Sequence, residues 1–155
     1  MTITASKALV LFCAMVLVAG CAAPPPPAPD PTIVNLQIRS AADINPNPDG
    51  RPSPVILRIY QLKTLTAFED ADFFSLFERD LEVLGQDLLR KDEVSLKPGD
   101  TQAITLEPKD EVRFIGVMAS FRDIDQAQWK TIASISPNQT NVLYLDVIGT
   151  RAAFK

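Results

Sequence analysis

Residues 54–62 read PVILRIYQL, and the fold turns on them. Read with a period of two, Val55, Leu57 and Ile59 fall on one side, and Ile56, Tyr60 and Leu62 on the other. A segment that is apolar on both faces and rich in β-branched residues is a central strand covered on both sides. Working outward, Val34, Leu36 and Ile38 alternate with Asn35, Gln37 and Arg39, the pattern of a half-buried strand. Downstream, EVSL and TQAITLE flank KPGD, which reads as a hairpin turning at Pro98 and Gly99. In EVRFIGVMASF the apolar parity changes between Val112/Phe114 and Ile115/Val117/Ala119/Phe121, which predicts a bulge near Phe114 to Gly116. WKTIASIS and NVLYLDVIG complete seven strands with short connections, the signature of a sandwich.

One segment follows a different period. In Thr66 to Gly85, TAFEDADFFSLFERDLEVLG, the residues Phe74, Phe77, Leu81 and Leu84 recur at helical spacing, and Phe68, Phe73 and Leu76 widen the apolar face. Thr66 and Glu69 form a candidate capping box, and Gly85 a stop. The segment reads as a helical insertion of one or two short helices, its aromatic stripe assigned to the core rather than to a partner groove.

The chain opens with MTITASKALVLFCAMVLVAGC, a polar lead with Lys7, then an apolar run too short to span a bilayer, then small residues. That is the layout of a secretory signal. Val18-Ala19-Gly20-Cys21 resembles a bacterial lipobox, in which the cysteine thiol takes a diacylglycerol before the signal is removed. Two or three acyl chains on Cys21 anchor a protein durably where one does not. Ala22 stands where many inner-membrane lipoproteins carry aspartate, so the expected destination is the outer membrane. With Cys13 in the signal and Cys21 acylated, no thiol remains for a disulfide. AAPPPPAPDP follows, a polyproline II spacer that would hold the domain about 30 Å from its lipid. The expected organisation is residues 1–20 signal, 21–32 lipidated cysteine and tether, 33–149 sandwich and 150–155 a C-terminal tail.

Composition narrows the chemistry. The chain has 15 basic and 19 acidic residues, net −4, with no basic stripe for nucleic acid. It has no histidine, which removes the commonest general base and the commonest metal ligand. Zinc would have to rely on carboxylates, and no phosphate-cradling glycine loop is present. Glu69, Asp70 and Asp72 cluster, and Asp123 and Asp125 flank Ile124; such acidic pairs in polar turns are read as turn and cap residues. No catalytic residue, cofactor, metal or small-molecule substrate is expected. A hydrolase working through Asp123 and Asp125 is the competing enzyme reading.

The candidate binding element is the run NPNPDGRPSP at 45–54. Its four prolines cannot donate to a sheet interior, and Asp49-Gly50 supplies a turn. The expected product is a stiff, exposed arch offering Asn45, Asn47, Asp49 and Arg51 at its crest, already ordered before a partner arrives.

NPNPDGRPSPVILRIYQL, AFEDADFFSLF, LGQDLL, LKPG and FIGVMASFRDIDQAQWK together resemble the TssJ lipoproteins of bacterial type VI secretion systems, over the lipobox and nearly all of Ile33 to Ile148. The resemblance implies a transthyretin-like β-sandwich with a short helical insertion. It also implies an outer-membrane lipoprotein that docks the periplasmic domain of the inner-membrane protein TssM. The loop between the first two strands takes part in partner contact in that family, and here it places Asn45, Pro46, Asn47, Pro48, Asp49, Gly50 and Arg51 at the interface. A generic periplasmic binding or chaperone lipoprotein is the alternative use of the same fold.

Overall fold

The computed structural model describes residues 26–155. The expected signal, Cys21 and the first part of the tether lie outside them. The eight strands of the described residues are β1 (Ile33–Ser40), β2 (Val55–Leu62), β3 (Leu88–Leu96), β4 (Thr101–Leu106), β5 (Phe114–Ala119), β6 (Lys130–Ser134), β7 (Thr140–Ile148) and β8 (Arg151–Phe154). Between β2 and β3 come the helices α1 (Thr66–Asp70) and α2 (Phe73–Leu84) and a 3-10 turn, Gly85–Asp87. The strands make two four-stranded sheets, ordered β4-β1-β7-β8 and β3-β2-β5-β6. In the first sheet β1 lies parallel to β7; the other pairings in both sheets are antiparallel.

The two-faced reading of β2 explains its place. Val55, Leu57 and Ile59 enter the core between the sheets, against Val34, Leu36 and Ile38 of β1 and Ile115, Val117 and Ala119 of β5. Tyr60 and Leu62 point the other way, into a smaller core with Phe68, Leu76, Leu84 and Met118, where the helices roof the sheet. Gly116 lies beneath α1: a Cβ there would meet the Phe68 ring at 3.0 Å and Leu62 at 3.1 Å. The absent side chain is what lets the helix settle on the strand.

Four expectations are corrected. KPGD does not close a hairpin, because β3 and β4 belong to opposite sheets. The turn is stitched instead to the end of β1: the Ser40 hydroxyl donates to the Lys97 carbonyl (2.6 Å), and the Gly99 and Ser40 amides donate to Ala41 (3.0 Å) and Asp100 (2.9 Å). Four residues suffice to carry the chain across the roughly 10 Å between packed sheets. There is no bulge at Phe114 to Gly116, where β5 keeps continuous register with both β2 and β6. The parity changes because Val112 precedes the strand, and because Phe114 and Met118 face the helices while Ile115 and Val117 face the inter-sheet core. Thr66 does not cap α1; its N-cap position is Leu65, without a side-chain bond. The cap belongs to α2, where the Asp72 carboxylate accepts from the Ser75 amide (3.0 Å) and hydroxyl (2.6 Å). Residues 150–155 are not a tail: β8 pairs with β7 and buries Ala152 in the main core, so the sandwich continues to Phe154.

Candidate functional site

The loop at 41–54 is anchored before it is exposed. Ile44 is wholly buried in the main core, and the Ser53 amide donates to its carbonyl (3.1 Å), closing a stem. Next comes Asn45, 3% exposed, with φ of +47°. Asparagine tolerates this left-handed geometry better than most residues. Its amide donates to the Gly149 carbonyl (2.8 Å) and its side-chain nitrogen to the Pro54 carbonyl (2.7 Å); its side-chain oxygen accepts from the Arg122 amide (2.8 Å). One side chain thus ties the proline loop to the connection after β5, and its backbone ties the loop to the β7–β8 turn.

Beyond this stem the tip is small. The Asn47 side-chain oxygen accepts from the amides of Asp49 (3.1 Å) and Arg51 (2.8 Å). The Asn47 amide donates to the Arg51 carbonyl (2.9 Å), and the Gly50 amide to the Asn47 carbonyl (2.8 Å). Gly50 sits at φ +77°, a conformation that β-carbon-bearing residues enter only with strain. The arch expected from sequence is therefore a short closed ring on a buried stem. Of its crest residues, Asn45 is buried and Asn47 is spent on the ring; Pro48, Asp49, Gly50 and Arg51 are the exposed ones. Arg122, which sequence reasoning passed over, belongs with this end through its amide. Asp123 and Asp125 lie exposed in the same connection. Among the described residues, no group of three metal-ligating side chains comes together.

This end is remote from the tether. Thr32 and Ile33 enter the sandwich beside Asn138 and Gln139, and β1 then runs its full eight residues before the loop begins. At about 3.3 Å per residue, roughly 26 Å separates tether from loop.

The second surface feature is the outer face of α2. Phe74, Phe77 and Leu81 are 59, 43 and 67% exposed, so the stripe assigned to the core from sequence faces outward, and of that set Leu84 alone is buried. The buried face is Leu76, Asp80 and Leu84. Asp80 hides this face from a hydrophobicity reading, since an acid occupies the middle of the i, i+4, i+8 row. Its carboxylate holds Lys91 (2.8 Å), the Tyr60 hydroxyl (3.1 Å) and Arg58 (3.4 Å), all projecting from the sheet below. Burial, then the Asp80 charge, pushes the Tyr60 phenol well up. Arg58 also donates to the Phe77 carbonyl (2.8 Å) and lies 5.0 Å below the Phe77 ring. At the other end of the insertion the Lys130 amine donates to the carbonyls of Phe68 (3.2 Å), Glu69 (2.5 Å) and Ala71 (2.9 Å), closing the C-terminus of α1. Burial lowers that amine's pKa, against the pull of nearby carboxylates.

Residues 32–149 match the family model for the type VI secretion lipoproteins, described as VasD, EvfM and TssJ. The chain belongs to the TssJ family. Its fold is similar to that of the T6SS lipoprotein TssJ1 from Pseudomonas aeruginosa, 32% identical with a TM-score of 0.78, over 81% of this chain and 95% of that one. It is also similar to Serratia marcescens Lip, a membrane-bound component of the type VI secretion system, at 25% identity and TM-score 0.74, over 81% and 96%. A third match, at 28% identity and TM-score 0.67 over 79% and 97%, is to a chain in a structure described as the T6SS protein TssM C-terminal domain (869–1107) from EAEC. No curated protein sequence matches. The chain is thus a type VI secretion lipoprotein with the two-sheet sandwich and helical insertion of TssJ proteins. Cys21 precedes the matched region.

Proposed function

We propose that this TssJ-family lipoprotein is anchored to the outer membrane through lipid on Cys21 and docks the periplasmic domain of TssM with the loop at Asn45 to Arg51. The observation that carries the reading is the loop itself. It is a closed, prolyl-stiffened ring on a buried stem, at the end of the sandwich opposite the tether, so a partner meets a surface that needs no further ordering. Within it Pro48, Asp49, Gly50 and Arg51 make the contact, and Asn45, Pro46 and Asn47 hold them in place. A further support comes from size. The aligned 79% of this chain fills 97% of the matched EAEC chain, which is therefore far shorter than the span 869–1107 and fits a companion of the TssM domain. The protein acts as scaffold, with no substrate turned over.

Pull-down with the TssM periplasmic domain tests the docking. A variant shortened within Asn47 to Arg51 should fold with an unchanged circular dichroism spectrum and fail to bind; full binding removes the loop from the account. Fractionation of a Cys21→Ser strain tests the anchor, the expected result being a soluble periplasmic protein.

A further inference from the structure

The proline loop does not explain the outer face of α2. Phe74, Phe77 and Leu81 form an apolar row on a helix whose other face is already buried, and nothing among the described residues covers it. Large exposed side chains scattered singly need no explanation, but a contiguous row marks an interaction surface. This row is also held ready. Phe77 stacks on Phe73 (centroids 5.6 Å, planes 11° apart) with the Arg58 guanidinium beneath it, so its ring has a fixed orientation. Phe73 in turn meets Trp129 edge-on at 5.3 Å. Trp129 follows directly on the connection that Asn45 grips through Arg122, so the row begins where the loop end of the sandwich stops.

Charge and spacing decide what fits there. Glu69, Asp70, Glu78 and Glu82 are exposed around the row. Against these four acids stand two cations: Arg79, which pairs with Glu82 (3.7 Å), and Lys130, held by the α1 carbonyls. The rim therefore keeps a net negative charge, while Arg58 beneath is spent on Asp80 and the Phe77 carbonyl. An anionic rim repels an anionic lipid surface. It also repels a second copy of the same face, since a two-fold contact sets the rim against itself. The 3-then-4 spacing of positions 74, 77 and 81 is the seam that receives the apolar edge of another helix. We infer that the outer face of α2 is a second docking surface, occupied by a cationic amphipathic helix of the same partner that the loop engages. This rests on the docking reading above. The loop fixes the end of the sandwich and the helix clamps its flank, so the two contacts add through effective concentration.

The test uses the full chain carrying Cys21→Ser, with the TssM periplasmic domain as probe, in titrations at low and high salt. Phe74→Ser combined with Leu81→Ser removes the row at two well-exposed positions, and Glu78→Lys combined with Glu82→Lys reverses the rim without touching it. Each pair should weaken binding about 10-fold or more with little change in melting temperature. The charge reversal should also flatten the salt dependence. If loop shortening abolishes binding while both α2 pairs bind as the parent does, the second surface is overturned and the loop reading survives. If the parent itself does not bind, both fall. If the α2 pairs leave TssM binding intact but abolish flotation with phosphatidylethanolamine–phosphatidylglycerol vesicles, or self-association in sedimentation, the occupant is lipid or another copy, and the inference is again overturned.

Discussion

Asn45 meets three demands at one position: a left-handed backbone, a side-chain donor for Pro54 and a side-chain acceptor for Arg122. Asn45→Ala takes these partners from the part-buried Pro54 carbonyl and Arg122 amide and strains the left-handed backbone, a loss of about 2–4 kcal/mol. The melting temperature should fall on the order of 10 °C. Asn45→Gly loses the same two bonds but keeps the left-handed geometry, so it should be the milder by about 1 kcal/mol in urea unfolding; equal losses would assign the whole effect to the hydrogen bonds. Asp72 gives a second residue-scale expectation. The Ser75 hydroxyl first, and then the Ser75 amide, hold its carboxyl below the usual carboxylate range. A depressed folded-state pKa means that the cap contributes fully above the unfolded value of about 3.9, and is lost as pH falls through the folded one. An NMR titration of the Ser75 amide should therefore show a midpoint below 3.9, absent in Asp72→Asn. At this scale the sequence shows composition but not direction: NPNPDG announces a turn, yet nothing in the letters says that Asn45 points inward and Asn47 onto its own loop.

Strands and helices were legible to different degrees, for physical reasons. A strand whose apolar residues keep one parity declares itself, as β1 does, and so does one filled on both faces, as β2 does. Pairing is less visible, because a four-residue turn serves a hairpin or a crossing between sheets equally well; the bonds from Ser40, nearly sixty residues away, decide it. β8 was missed because RAAF is short and nearly featureless, and gains its place from β7 and the core. The core assignment holds for Phe68, Leu76 and Leu84 but fails for Phe74, Phe77 and Leu81, because α2 has two candidate faces. The larger one is aromatic and exposed, and the buried one contains an acid that is at home only because Arg58, Tyr60 and Lys91 meet it from the sheet. That compensation can be tested. Asp80→Ala takes the shared carboxylate from Arg58 and Lys91 and the acceptor from the buried Tyr60 hydroxyl, and should cost about 2 kcal/mol in denaturant unfolding. Amide protection should drop first in α2 and the facing ends of β2 and β3. Uniform loss across both sheets would contradict a network that acts by holding the insertion down.

Polarity along the whole molecule links anchor to function. β1 carries the chain directly from tether to loop, so the sandwich acts as a spacer about 26 Å tall. The polyproline spacer expected from the sequence would add about 30 Å. In the proposed scaffold role, reach across an aqueous gap comes from both segments. The sequence showed the two ends separately, as a polyproline run and a proline-rich loop; that they lie at opposite poles follows from the direction of one strand. Nitroxide labels at Asp30 and Asp49 in the lipidated protein, reconstituted in vesicles, measure this directly. The label at Asp49 should lie more than about 25 Å from that at Asp30. It should also be the more distant of the two from a relaxation agent held at the headgroups. Should Asp49 prove as close to the bilayer as Asp30, the sandwich would lie flat, and the loop could not be the surface that faces away from the membrane.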